Sequence, residues 1–206
     1  MGMTGGIASG KSTVASILKQ NGIPVIDADE LSHALTGPGG KAISQILSAF
    51  GPGVLDHPES RELASLNRTQ MRGLIFKNPL LRKKLEAILH PLIQEEGRKE
   101  AKRLFELGNS LVIYDAALLV ETGTYKNYAG LIVVSCPWNI QIERLMKRNA
   151  YSKEEAKAAL AAQMPLEEKI KVADWVIEND GGLELLKERS LETLKQIRAA
   201  FFNSNP

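Results

Sequence analysis

The sequence predicts an α/β fold in which helices pack on a parallel sheet. Four short apolar runs are typical of strands that are buried on both faces of such a sheet. These runs cover residues 23–26, 111–114, 131–134 and 175–177. Segments with helical periodicity lie between them, and parallel strands need crossovers of that kind. The third indication is a glycine-rich turn close to the start of the chain.

Apolar spacing and one cap signal place the main helices. Three segments repeat apolar residues at helical intervals. They contain Ile43, Ile46 and Phe50; Leu81, Leu85 and Ile88; and Leu183, Leu186 and Leu194. Ser152 followed three residues later by Glu155 is a capping box, and it predicts a helix over 153–163.

The glycine-rich turn matches the phosphate-binding pattern G-x-x-x-x-G-K-[ST] at Gly5, Gly10, Lys11 and Ser12. Its glycines let successive N–H groups point at one anion, and a helix from Lys11 onward adds its positive end. Lys11 is expected on the outer phosphates, and the Ser12 hydroxyl on Mg²⁺. A plain glycine turn with a solvated lysine is the alternative. The spacing and its context favour a nucleoside triphosphate site.

The chain of 206 residues suits one α/β domain with insertions. The interval between the second and third strands is helix-rich and too long for a simple crossover, so it predicts a helical subdomain over about 30–109. A helical hairpin after the fourth strand suggests a lid over about 138–172. The core is then formed by residues 1–29, 110–137 and 173–206.

Composition excludes several classes of protein. The net charge of +2 gives no reason to expect a nucleic acid or an anionic membrane as partner. No stretch is apolar over the length of a membrane span, and because the N-terminus lacks basic and apolar regions we expect no signal peptide. The single cysteine, Cys136, fits a reducing compartment and a small buried residue rather than a nucleophile. We expect a cytoplasmic protein. A monomer is the expected state, and an oligomer is the alternative.

Acidic residues follow the strands where ligands bind in open α/β sheets. Asp27 and Asp29 end the second strand, and alternation lets both carboxylates point the same way. One of them could act as base and help to hold Mg²⁺, while capping of a helix over 30–35 is the alternative use of Asp29. Asp115 ends the third strand at the position of a Walker-B aspartate, and Glu121 follows it facing the cleft or solvent.

The remaining polar candidates lie on helices. Pro91 must kink or restart its helix, which could turn His90 inward. Arg144 and Arg148 share a helical face, where they could close on transferring phosphates or form a solvated basic face. Gln163 and Asn179 could contact a base or simply end their elements. His33 and His57 are interpreted as surface residues.

Motifs along nearly the whole chain resemble those of the dephospho-coenzyme A kinase family. They are, in order, TGGIASGKST from Thr4, VIDAD from Val25, LHPL from Leu89, LLVE from Leu118, AAQ from Ala161, Ala173-Asp174 and Asn179. Many NTPases share the phosphate loop, whereas the Asp-Ala-Asp and His-Pro elements are more specific. The resemblance implies a P-loop NTPase three-layer fold with strand order 2-3-1-4-5, a helical substrate subdomain and a helical lid.

The resemblance also implies a reaction and its residues. The reaction is ATP- and Mg²⁺-dependent phosphorylation of the ribose 3′-hydroxyl of dephospho-coenzyme A. The implied catalytic residues are Lys11, Asp29, Arg144 and Arg148. ATP would be bound by Gly6, Ala8, Ser9, Gly10, Lys11, Ser12, Thr13 and Asn179, Mg²⁺ by Ser12 and Asp29, and the acceptor by Asp27, His90, Asp115 and Glu121. Whether Asp27 or Asp29 is the base stays open.

Three features depart from the family pattern. Asn67-Arg68 stands where the family usually has Asp-Arg, and Ala117 stands where a proline is common. The strand before Gly5 has only four residues where strands typically have about five or six. Either the strand is stunted or the true start lies further upstream, and an added apolar extension should raise the melting temperature with little change in turnover.

Two other functions are compatible with a phosphate loop. A kinase for another small acceptor, such as a nucleoside monophosphate, would share the fold and differ in the acceptor pocket. A GTPase-like switch would carry an Asn-Lys-x-Asp guanine-reading element, and the sequence contains no such tetrapeptide.

Overall fold

The computed structural model describes residues 1–60, 62–76 and 78–202, and its main feature is a five-stranded sheet. The strands of this sheet are β1 Gly2–Gly5, β2 Val25–Asp27, β5 Ile113–Asp115, β6 Leu131–Ser135 and β7 Trp175–Glu178. A separate antiparallel pair consists of β3 Leu55–Asp56 and β4 Ser65–Leu66. The large sheet has the order β2-β5-β1-β6-β7. When the five strands of this sheet alone are numbered along the chain, the order is 2-3-1-4-5, which confirms the prediction.

The helices follow the predicted periodicity closely. They are α1 Lys11–Gln20, α2 Ala28–Thr36, α3 Ile43–Phe50, α4 Arg68–Phe76, α5 Pro79–Glu106, α6 Trp138–Asn149, α7 Lys153–Ala161, α8 Leu166–Ile170 and α9 Leu183–Phe202, with 3₁₀ turns at Pro52–Val54 and Thr124–Asn127. The capping box of Ser152 and Glu155 is present, although α7 ends two residues before the predicted 163. None of the helices within the described ranges is long and apolar enough to cross a membrane.

The chain forms two compact units. The first contains residues 1–26 and 108–206, and the second contains residues 27–107. The second unit therefore takes in Asp27 and Asp29, which the sequence analysis assigned to the core. Its own apolar core includes Leu35, Ile46 and Leu85.

Successive side chains of β6 pack alternately into the two apolar clusters that cover the faces of the sheet in the first unit. Ile132 and Val134 pack among residues of α1 and α9 on one face. Leu131 and Val133 lie on the other face, where they pack with Leu119 and with Leu166 of α8. Because successive side chains of a strand point to opposite faces, this division is what a doubly covered strand requires. The phosphate loop follows directly on the carboxyl end of β1.

The N-terminal strand is short but fully integrated. All four residues of β1 are buried, and β1 pairs in parallel with both β5 and β6. The Met1 ammonium donates a 2.9 Å hydrogen bond to the Val112 carbonyl, and burial lowers the pKa of this group. The central position expected for the strand before the phosphate loop is therefore present.

Of the two alternatives predicted at Pro91, a kink or a restart of the helix, the restart is wrong. The helix does not restart at Pro91 but continues through it over 28 residues. A proline removes one helical hydrogen bond, and a long helix that is anchored elsewhere tolerates that loss. Here the anchor at the start is Asn78, whose side chain accepts hydrogen bonds from two first-turn amides. His90 is exposed rather than turned inward within its unit.

The prediction for the Asp27-Ala-Asp29 segment also needs correction. The strand ends at Asp27 and α2 begins at Ala28, so strand alternation does not align the two carboxylates. Asp27, not Asp29, is the cap: its Oδ1 accepts hydrogen bonds from the amides of Asp29 at 2.8 Å and Glu30 at 3.4 Å. Asp29 is exposed in the first turn of the helix, so its carboxylate is free of the capping role.

The cap generates a prediction about stability. Replacing Asp27 by Ala removes the acceptor for two helix amides, and we expect the free energy of unfolding to fall by about 1 kcal/mol. Asp27→Asn is the matched control, because asparagine caps helices about as well as aspartate. Denaturant unfolding monitored by circular dichroism measures both. Equal stability of the Ala and Asn variants would contradict the assignment of Asp27 as the cap.

Candidate active site

The phosphate loop joins β1 to α1 through backbone in two left-handed positions. Ala8 has φ +58° and Gly10 has φ +93°. Gly10 precedes α1 and provides no side-chain cap. The first N–H groups of a helix have no acceptor four residues back. Among the described residues, no side chain accepts a hydrogen bond from the amides of Lys11 and Ser12, whereas the Thr13 amide donates to Gly10 O. The loop therefore has the backbone form of an anion-binding nest.

The carbonyl groups of the loop are bonded by donors from the rest of the protein. Gly6 O accepts from the Ser9 amide at 3.1 Å within the loop. Four other carbonyls accept from side chains: Gly5 from Lys169 at 3.3 Å, Ile7 from Gln141 at 2.7 Å, Ala8 from Arg144 at 3.4 Å and Ser9 from Asn179 at 2.8 Å. Bonded carbonyls fix the orientation of each peptide plane and with it the direction of the neighbouring N–H. The shape of the loop is thus set from outside the loop.

Two glutamines bond the backbone of Ile7, one at its carbonyl and the other at its amide. Gln141 donates to the Ile7 carbonyl, and Gln163 accepts from the Ile7 amide at 2.9 Å. Gln163 therefore contacts the phosphate loop, which the sequence analysis did not anticipate. Gln141 was missed altogether, although it is only 3% exposed on α6. A polar residue on the buried face of a predicted helix was the available signal, since such residues are normally hydrogen-bonded.

Lys11 and Asp115 form an ion pair at the carboxyl ends of two neighbouring strands. Asp115 ends β5 and is 1% exposed, as expected for an acidic residue beside a phosphate loop. The Lys11 side chain is 19% exposed, so solvent and ligands still reach it. A buried carboxylate next to the lysine fixes the ammonium at the mouth of the loop. The structure thus brings together two of the predicted site residues.

Arg144 and Arg148 have different surroundings despite their common helix. Arg144 donates to Ala8 O and also to Asn179 Oδ1 at 3.1 Å. Arg148 is exposed and donates to the neighbouring Asn149. Asn179 is 5% exposed and links Arg144 to the loop carbonyl of Ser9. Arg144 and Asn179 are therefore part of the loop support, whereas Arg148 is not.

Cys136 lies beside this support. It is buried, and Arg144 Nη1 is 3.4 Å from its Sγ. Burial raises the pKa of the Cys136 thiol, and the nearby Arg144 charge opposes this only partly. A thiol with a raised pKa has little thiolate near neutral pH, which disfavours a nucleophile.

A cleft of about 810 Å³ opens next to Gly6 in the same unit. It lies between the ends of β6 and β7 and the segment from α7 to α8. Its walls include Trp138, Leu160, Leu166 and Ile170, together with the polar Gln141 and Gln163. Clefts of this size and mixed lining are typical of small-molecule sites.

The remaining predicted residues lie next to one of the loop donors or in the second unit. Glu121 is in the first unit, where its Oε1 is 2.7 Å from the Lys169 ammonium. Asn67 of the second unit donates to Asp56 at 2.7 Å and accepts from the Gln70 amide at 2.9 Å. An aspartate at position 67 could not donate to Asp56, so this departure from the family pattern has a local physical reason.

The loop geometry makes a prediction for Gly10. A Cβ at this position would lie 2.1 Å from Asn179 Nδ2 and would have to adopt φ +93°. We therefore expect Gly10→Ala to displace Asn179 from the loop and to weaken ATP binding at least about tenfold.

Gly22→Ala is the matched control for Gly10→Ala. Gly22 has φ +76°, but no atom would lie within 4 Å of its added Cβ. This variant should lose stability, by about 1–2 kcal/mol, and retain ATP affinity. Calorimetric titration with ATP and thermal unfolding separate the two effects. Equal ATP affinity in both variants would show that the contact with Asn179 does not matter.

Comparisons with known proteins place this geometry in a family. The family model for dephospho-CoA kinase matches residues 1–184. The dephospho-CoA kinase of Geobacillus kaustophilus is 42% identical over 196 residues, which cover 95% of each chain.

Two solved structures share the fold of this chain. The Thermus thermophilus protein TT1252 superposes with a TM-score of 0.78 at 36% identity, over 95% of each chain. Dephospho-CoA kinase from Campylobacter jejuni has the same fold, with a TM-score of 0.64 at 24% identity over 95% of each chain. With a family match over most of its length and a relative at this level of identity, the chain belongs to the dephospho-CoA kinase family.

Proposed function

We propose that this protein transfers the γ-phosphoryl group of ATP to the ribose 3′-hydroxyl of dephospho-coenzyme A. The observation that supports this most is the phosphate loop, whose carbonyls are bonded by side chains in a chain of this family. Phosphoryl transfer needs little covalent chemistry from the protein, and catalysis comes from positioning and charge stabilisation. A preorganised anion site supplies both.

On the donor side, the loop residues hold the phosphates of ATP. The backbone from Gly6 to Thr13 surrounds the anion, and the Lys11 ammonium neutralises the outer phosphates. Asp115 keeps that ammonium at the mouth of the loop before ATP arrives. The adjacent cleft has the volume for the rest of a nucleotide.

Mg²⁺ fits the residues at the start of α1. Ser12 is exposed there and its hydroxyl makes no hydrogen bond within the described ranges, so it is available as a hard oxygen ligand. No group of three acidic, histidine or cysteine side chains in those ranges could cage a metal alone. This suits a cation that takes most of its ligands from phosphate and water. When bound, it would neutralise charge on the transferring phosphates.

On the acceptor side, Asp29 is the proposed base. Because Asp27 occupies the cap, the Asp29 carboxylate remains free to accept a proton from the attacking hydroxyl. The roles of Asp27, His90, Asp115 and Glu121 at the acceptor, and of Asp29 at Mg²⁺, remain predictions from the family resemblance. The cytoplasmic location and the monomeric state also remain predictions.

The identity of the acceptor is tested by product analysis. Incubation with ATP, Mg²⁺ and dephospho-coenzyme A should add one phosphate to dephospho-coenzyme A, as measured by mass spectrometry. Nucleoside monophosphates serve as competing acceptors in the same reaction. Phosphate on a monophosphate instead would leave a P-loop kinase with a different substrate.

Asp29→Asn tests the base. Asparagine keeps the shape of the side chain but cannot take a proton, so turnover should collapse while ATP affinity stays nearly intact. Lys11→Ala is the comparison, because loss of one preorganised charge should lower turnover by about 10²–10³. Steady-state kinetics and ATP titration measure both variants. Near-normal turnover of Asp29→Asn would move the base to another residue.

The two arginines of α6 make a paired prediction. Lysine lacks the planar fork of arginine. If Arg148 closes on the transferring phosphate, Arg148→Lys should therefore reduce kcat by a larger factor than it reduces the affinity for ATP. Arg144→Lys should lower both, because Arg144 also holds the carbonyl of Ala8. Hydrolysis of ATP should rise relative to transfer in both variants, since an imperfect closure admits water. Separate assays of hydrolysis and transfer decide this. Wild-type behaviour of Arg148→Lys would make that residue part of a solvated basic face.

A further inference from the structure

Lys169 is a buried lysine next to the first residue of the phosphate loop. The side chain of Lys169, on α8, is 1% exposed, which is rare for a lysine unless it is paired. Its ammonium donates to Gly5 O at 3.3 Å and to Ala117 O at 3.0 Å. Glu121 Oε1 lies 2.7 Å away. The three donor positions of the ammonium thus face three different groups.

These groups belong to two segments that carry the site. Gly5 is the last residue of β1 and the first of the phosphate loop. Ala117 and Glu121 belong to the segment that follows β5, the strand that ends in Asp115. The Thr4 hydroxyl also donates to Ala117 O, at 2.9 Å, so the two segments meet at this carbonyl. Lys169 therefore connects the start of the loop to the segment after the aspartate that pairs with Lys11.

Stability alone does not account for this arrangement. A buried ion pair gains little over a well-packed apolar pair, because both charges lose their hydration. The Glu121 carboxylate is itself poorly satisfied, since neither oxygen makes a hydrogen bond of good geometry among the described residues. What apolar side chains could not supply is a directed donor to the Gly5 carbonyl. The contribution specific to Lys169 is therefore the orientation of the first peptide of the loop.

We propose that Lys169 is a positioning residue for ATP binding, which fixes the Gly5 carbonyl, and that Glu121 balances its buried charge. Among the phosphate-loop supports, this one comes from α8 and reaches the loop from the face of the sheet opposite α1. The inference rests on the proposed function only in that the loop binds ATP. It does not depend on which acceptor is phosphorylated.

The test separates positioning from stability with a double variant. Lys169→Met leaves the Glu121 charge buried without a partner, so it should lower the melting temperature and weaken ATP binding about tenfold or more. Adding Glu121→Met removes the second charge and should restore the melting temperature. Binding of the non-hydrolysable analogue β,γ-imido-ATP with Mg²⁺, measured by calorimetry, should stay about tenfold weaker in the double variant. Wild-type binding by a stable double variant would overturn the proposal.

Two further variants complete the experiment. Lys171→Met is the control, because Lys171 is exposed just after α8 and, among the residues that the structure describes, pairs with Glu168 alone. Its binding and stability should match the wild type. Glu121→Gln keeps Lys169 and its bond to Gly5 O, so its affinity for the analogue should stay within about twofold of wild type while its melting temperature falls.

Glu121→Gln also decides the outcome if neither Lys169 variant folds. Retained affinity at lowered stability is the expected result, and a tenfold loss of affinity, with the Lys169 donor to Gly5 O still present, contradicts a role centred on that bond. Because the analogue is not turned over, failure of this proposal is distinct from failure of the acceptor assignment.

Discussion

The site depends on one constraint, which is that the phosphate loop must turn its N–H groups toward an anion while its carbonyl groups still find donors. A buried carbonyl without a donor is costly, and a flexible loop would lose its shape when the anion leaves. Here side chains supply the donors: Gln141, Arg144, Lys169 and Asn179 bond four successive or nearly successive carbonyls. The anion site is therefore built before the anion binds.

The origin of these donors explains why the rest of the fold is needed. The donors lie 134 to 170 residues after the loop residues that they bond. They are carried by α6, by α8 and by the residue after β7, and the parallel sheet brings these segments to the carboxyl end of β1. A glycine-rich peptide alone would have no such support. The order of the strands is thus a requirement of the site as well as of the core.

Local signals in the sequence predicted most of the fold, and long-range contacts account for what was missed. The phosphate loop, the capping box at Ser152 and the strand order were predicted because each depends on short patterns or on the family resemblance. The alternative that Asp29 caps the helix was wrong and Asp27 is the cap, because a one-residue difference in where the strand ends decides which carboxylate takes that position. Lys169 and Gln141 were missed because their partners are distant in sequence and their residue types suggest solvent.

The most direct test of the account is a pair of crystal structures, one without nucleotide and one with β,γ-imido-ATP and Mg²⁺. A loop that is held from outside should have the same backbone in both, with Cα positions of residues 5–13 within about 1 Å and each carbonyl still bonded to its side-chain donor. A loop whose peptides turn over on binding, with Gln141 or Asn179 released from it, would contradict the claim that these side chains build the anion site.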